Sequence, residues 1–105
     1  MIRGEVFRLC VPRGTRGSEQ RRARYAVVVQ ADELLALSTV LVSPTSTAAP
    51  PRSFRPTIDL HGSSTRVLVE QTTAVSPDRL GESVGRLSAS ELRDLDTALA
   101  LVLGL

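Results

Sequence analysis

The apolar positions of this chain come in short runs broken by polar turns, and their period changes once, near residue 88. Over residues 4–11, Phe7, Leu9 and Val11 share one face, the period of two of a half-buried strand, and Pro12 ends it. Tyr25, Ala26, Val27, Val28, Val29 and Gln30 form a continuous, mostly β-branched run, which predicts a strand buried on both faces. Residues 32–36 fit one helical turn. Residues 39–42 predict a second buried strand, stopped by Ser43 and Pro44, with a loop rich in Ser, Thr, Ala and Pro over residues 45–55. Residues 57–60 and 66–71 predict two further strands, forming a hairpin across His61, Gly62, Ser63 and Ser64. Residues 79–80 and 84–87 are weaker strand candidates.

From residue 88 the period is helical. Ser88 and Glu91 stand three apart as a capping box; Leu92, Leu95, Leu99 and Val102 then recur on one face, and Gly104 ends the helix. Five or more short strands followed by one helix predict a mainly β protein with a C-terminal helix, built as a small β-barrel. Its length of 105 residues suits a single domain over residues 1–105, and no repeat or linker interrupts it.

Composition narrows the chemistry. The aromatic residues are Phe7, Tyr25 and Phe54, too few for a surface that binds nucleic acid mainly by base stacking. All 13 basic residues are Arg, and they are unevenly placed: residues 1–55 carry nine Arg against four acids, residues 56–105 four Arg against seven. The absence of Lys and Asn fits a GC-rich coding bias, so the clustering informs more than the total. Residues 13–24 hold five Arg and almost nothing apolar, which predicts a solvated basic loop. Cys10 is the single cysteine, excluding an intrachain disulfide or a cysteine-based metal site, and no run approaches the ~18 apolar residues of a membrane span. The expected setting is the cytoplasm, with no membrane contact.

No phosphate-binding glycine loop, zinc spacing or nucleophile elbow occurs, and no cofactor or metal is expected. With one His, paired-histidine catalysis is not available; His61 in its turn reads as a solvated loop residue. What remains is a pair of polar loops that follow strands, with Arg24 directly before one buried strand and Thr45 and Ser46 just after another. Strand ends hold side chains firmly enough to position a phosphate.

Read in order, Arg3-Gly4-Glu5-Val6, Gly17-Ser18-Glu19-Gln20, Arg24 with Val27-Val28-Val29-Gln30, Pro44-Thr45-Ser46, Glu70-Gln71, Arg79-Leu80 and Leu103-Gly104-Leu105 resemble the succession in MazF/PemK toxins. Each fragment is short, and the ordered series spans the chain. The resemblance implies an SH3-like barrel, a homodimer that binds single-stranded RNA along its subunit interface, and a cognate antitoxin protein that fills the same groove. It implies a metal-independent endoribonuclease, the toxin of a type II toxin-antitoxin system, that cleaves mRNA at a short motif to leave 2′,3′-cyclic phosphate and 5′-hydroxyl ends. The catalytic roles pass to Arg24 and Thr45, and RNA-binding roles to Glu19, Gln20, Arg22, Ser46, Glu70 and Gln71. Glu70 is a candidate general base on condition that its pKa is raised; the plainer reading is a surface carboxylate. Two departures stand out: Thr72 or Thr73 and Leu68 occupy places where members carry an arginine.

The alternative is a toxin of the same fold that binds a protein target such as DNA gyrase and cuts nothing. A non-catalytic SH3-like module is disfavoured, because grooves for proline-rich ligands are lined by aromatics.

Overall fold

The computed structural model describes residues 1–10 and 24–105. Among these residues seven strands, β1 (Glu5–Leu9), β2 (Tyr25–Val28), β3 (Val40–Ser46), β4 (Thr57–Leu60), β5 (Ser63–Val67), β6 (Thr73–Val75) and β7 (Leu80–Arg86), precede one helix, α1 (Ala89–Leu103). Every pairing is antiparallel, in the order β4-β5-β3-β2-β1-β7, with β6 also on β3. The result is a curled, half-barrel sheet with a C-terminal helix, as the apolar pattern predicted.

β2 explains the architecture. Alternate side chains along it and the residue that follows feed two cores: Val27 and Val29 join Val6, Ile58, Val67, Val69, Leu87, Leu95 and Ala98 beneath α1, while Ala26 and Val28 join Val40, Val42 and Val75 on the opposite face. A strand buried on both sides needs apolar residues at every position, which is why this run shows no alternation. β1 splits the same way, with Val6 in the first core and Phe7 and Leu9 packed on the second.

Past the end of β2, Gln30 does the work of a brace. Its buried side-chain amide donates to the Leu34 carbonyl (2.7 Å) and accepts from the Leu41 amide (3.0 Å), fixing the connection that contains the 3-10 turn Asp32–Leu34. These bonds satisfy a polar group that would otherwise be costly to bury.

β3 departs from the expectation that Ser43 and Pro44 stop it. It runs through both to Ser46. One residue's amide and carbonyl point to the same edge of a strand. The Pro44 carbonyl accepts from the Leu68 amide (2.8 Å), so its missing N–H faces the edge where β3 exchanges one partner for another, β6 along residues 40–42 and β5 along residues 45–46. A proline is tolerated there because no ladder bond is lost.

The expected strand over residues 66–71 is instead the end of β5 followed by a 3-10 turn, Val69–Gln71, and β6 was not foreseen. Residues 79–80 and 84–87 belong mostly to one strand, β7, entered from the 3-10 turn Pro77–Arg79.

The helix start is as predicted: Ser88 accepts from the Glu91 amide (3.1 Å) and Glu91 from the Ser88 amide (2.9 Å), and Gly104 adopts the left-handed conformation at the far end. Its inner face differs at one position. Leu95 and Ala98 are buried, Leu92 and Leu99 pack beside them, and Val102 is exposed. No helix among the described residues is long and apolar enough to cross a membrane.

Candidate functional site

The strand order places three of the predicted functional positions side by side. Ala26 pairs with Pro44, so the next position along each strand brings Tyr25 opposite Thr45, and Arg24 lies one residue beyond. The Leu9 amide donates to the Arg24 carbonyl (2.7 Å), which ties the Arg24 backbone to the end of β1 although its side chain is exposed. The Thr45 hydroxyl donates to the Tyr25 carbonyl at 3.2 Å. Ser46 ends β3 by accepting through its hydroxyl from the amides of Ala48 (3.2 Å) and Ala49 (3.0 Å), which closes a turn at the strand end.

These residues wall a cavity of about 460 Å³, lined by Arg24, Thr45 and Ser46 from the ends of β2 and β3, Gln71 from the 3-10 turn, and His61, Ser63 and Thr65 from the β4–β5 hairpin. It is large enough for a small organic moiety such as one nucleotide unit. Arg24 brings a permanent positive charge with planar donors, and Thr45, Ser46, Ser63 and Thr65 bring hydroxyls, a set suited to phosphate oxygens. Among the described residues Arg24 has no carboxylate partner.

Glu70 lies elsewhere. It does not line the cavity, and its Oε2 accepts from Arg55 Nε (2.8 Å) and Nη2 (2.6 Å). Those charge-assisted bonds hold the Glu70 carboxyl below the usual carboxylate range, against a smaller opposing effect of burial. The condition set for Glu70 as a base, a raised pKa, is therefore reversed. Its ionic partner is Arg55, which also donates to the Pro50 carbonyl (3.1 Å) and lies over the Phe54 ring, so the pair clasps residues 50–55 onto the turn that carries Gln71. Glu19, Gln20 and Arg22 lie outside the described residues.

The two departures from the family pattern have structural counterparts. Leu68 contributes an apolar stretch of cavity wall, and the Thr72 hydroxyl donates to the Val69 carbonyl (2.7 Å) and meets the buried Ser43 hydroxyl (2.7 Å). Sequence reasoning missed the wall supplied by the β4–β5 hairpin. Its turn was legible, with His61 at φ 53° and Gly62 at φ 85° between the paired residues Leu60 and Ser63, but the pairing of β5 with β3 at Thr45 and Val67 was not. That pairing carries His61 to the cavity.

The profile of the PemK-like, MazF-like toxins of type II toxin-antitoxin systems matches residues 2–103. This chain belongs to that family. The candidate toxin Rv3098A of Mycobacterium tuberculosis is 39% identical over 106 residues, covering 100% of this chain and 99% of that one. Endoribonuclease MazF9 of the same organism is 36% identical over 118 residues, covering 100% and 98% respectively. Among solved structures, a mycobacterial endoribonuclease in complex with its cognate antitoxin superposes with a TM-score of 0.82 at 20% identity, covering 100% of this chain and 96% of that one, a likeness of fold.

Proposed function

We propose that this chain is the endoribonuclease toxin of a type II toxin-antitoxin pair, cleaving single-stranded RNA at a short motif without a metal ion. The observation that carries the reading is the convergence of Arg24 and Thr45 on one cavity from the ends of adjacent strands. In the reaction the ribose 2′-oxygen attacks the neighbouring phosphorus, the bond to the 5′-oxygen breaks, and the products carry a 2′,3′-cyclic phosphate and a 5′-hydroxyl. Negative charge grows on the phosphoryl oxygens as the 2′-oxygen closes in. The Arg24 guanidinium offsets it, and the Thr45 hydroxyl, turned from the Tyr25 carbonyl when the substrate binds, donates to the same oxygens; donors already aimed at the phosphate when the step begins lower its barrier. Ser46 and Gln71 hold flanking parts of the RNA, joined by Glu19, Gln20 and Arg22, while Glu70 acts through Arg55 on the turn that carries Gln71.

The protein partners are a second copy of this chain and a cognate antitoxin. Exposed Leu34, Leu37 and Leu41, and Leu101, Leu103 and Leu105 at the end of α1, supply apolar surface for such contacts. The expected compartment is the cytoplasm.

The test is to incubate the purified protein in EDTA with a long single-stranded RNA and to map the cut ends beside an Arg24→Ala control. Discrete cuts bearing cyclic phosphate, absent with Arg24→Ala, are expected. Intact RNA across varied sequences would overturn the reading and favour a toxin that acts on a protein such as DNA gyrase.

A further inference from the structure

Arg24 and Thr45 stabilise charge but leave open which group takes the proton from the 2′-hydroxyl. Among the described residues, three titratable side chains line the cavity: Arg24, Tyr25 and His61. A guanidinium stays protonated in proteins and a phenol ordinarily ionises near pH 10, so neither accepts a proton readily at neutral pH. Imidazole is the side chain whose ordinary pKa makes it a proton acceptor there.

The placement of His61 is built into the sheet. Leu60 and Ser63 pair across a two-residue loop, and positive φ at both His61 (53°) and Gly62 (85°) gives the tight turn that matches the twist of a hairpin. The Asp59 carboxylate accepts from the Gly62 amide (2.9 Å), which fixes the turn further. β5 then pairs with β3 at Thr45 and Ser46, so the hairpin that carries His61 and the strand end that carries Thr45 are parts of one hydrogen-bonded unit.

Resting on the ribonuclease reading above, we propose that His61 is the general base of this cavity. Its neutral imidazole takes the 2′-hydroxyl proton as the 2′-oxygen to phosphorus bond forms. The electron pair of the breaking phosphorus to 5′-oxygen bond stays on the 5′-oxygen, which takes a proton from water, and the imidazolium returns its own to solvent. Among the described residues, the charged and titratable groups nearest this histidine in the fold are Arg24 and Tyr25 on the same cavity and Asp59 in its own hairpin, whose amide donates to Glu91 of α1 (2.8 Å).

The test is single-turnover cleavage of one RNA from about pH 5 to 8, the range in which an imidazole changes charge. Wild type, His61→Asn and Arg24→Ala are compared, with RNA affinity measured alongside. Asn tolerates the left-handed backbone at this turn and cannot relay the proton. The expected result is a wild-type rate that rises with pH to a plateau, and a His61→Asn rate lower by about 10²–10⁴-fold with that rise gone and RNA affinity kept. A His61→Asn enzyme with the wild-type rate and profile overturns the assignment, as does a wild-type rate that falls across this range, the mark of an acid. If wild type cuts and Arg24→Ala does not, the ribonuclease reading stands whatever His61 does; if wild type cuts no RNA, both fall.

Discussion

The Thr45 hydroxyl donates to the backbone carbonyl of Tyr25, the residue directly after Arg24. This hydrogen bond adds a side-chain tie to the two strand ends that the β2–β3 pairing already sets side by side. It also means that the hydroxyl is engaged before RNA arrives, and that its donor must turn toward the phosphate as the substrate binds.

Thr45→Val tests this directly, because it keeps the branched shape and removes the donor. Loss of one preplaced donor to a developing anion costs about 10²–10³ in kcat. Thr45→Val is expected to lose about that much with little change in KM, and Thr45→Ser to keep most of the activity. Cleavage by Thr45→Val at the wild-type rate would remove the hydroxyl from the set of phosphate donors.

The Arg55–Glu70 pair gives a prediction in pH. The Glu70 carboxyl is lowered in the folded chain. Its stabilising contribution is therefore fully present above the ordinary carboxylate pKa of about 4.3 and is lost as pH falls through the lower, folded value. The pair lies near the surface, so the contribution is less than about 1 kcal/mol. Urea unfolding of Glu70→Gln is expected to show that deficit at neutral pH and to converge with wild type in strong acid. Cleavage by Glu70→Gln should fall modestly, since the residue only clasps residues 50–55 onto the turn that carries Gln71; complete loss of cleavage would restore Glu70 as a base.

The sequence and the structure agree best where burial is decided locally. β2 announced itself as an unbroken apolar run because both its faces are covered, and α1 because its cap, its inner stripe and its terminal glycine all act within one segment. What was not legible depends on which strand lies beside which. Pro44 reads as a strand end, and becomes acceptable inside β3 only because that strand changes partners there. His61 reads as a turn residue, and it is one; its place on the cavity wall follows from β5 lying against β3, which no local pattern reports. Glu70 looked like a possible base because its partner, Arg55, is 15 residues away in a loop with no strong pattern.

Gly4 is a local feature with a long reach. It sits at φ +90°, and a Cβ there would come within 2.9 Å of Leu92 Cδ2 on α1. Its amide donates to the Val28 carbonyl (2.7 Å) and its carbonyl accepts from the Leu87 amide (2.9 Å), so the backbone has no freedom to shift. Gly4→Ala is expected to destabilise the fold by about 1–3 kcal/mol, read as a lower urea midpoint with an unchanged slope. A midpoint equal to wild type would show that the helix yields at this contact.

Salt separates charges that meet RNA from charges that meet the protein. Each phosphate neutralised on single-stranded RNA adds about 0.7 to the slope of log affinity against log salt. Arg24 is exposed at the cavity, whereas the Arg3 guanidinium is already held by Asp96 (2.8 Å) and the Val29 carbonyl (2.9 Å), away from the cavity wall. An RNA with methylated 2′-oxygens binds without being cut, so its affinity can be followed across a salt series for each variant. Arg24→Gln should flatten the slope by about 0.7, and Arg3→Gln should leave it as in wild type. Were the slope to stay unchanged in Arg24→Gln, this guanidinium would not be holding a phosphate in the bound state, and its part in the reaction would have to begin later, at the transition state alone.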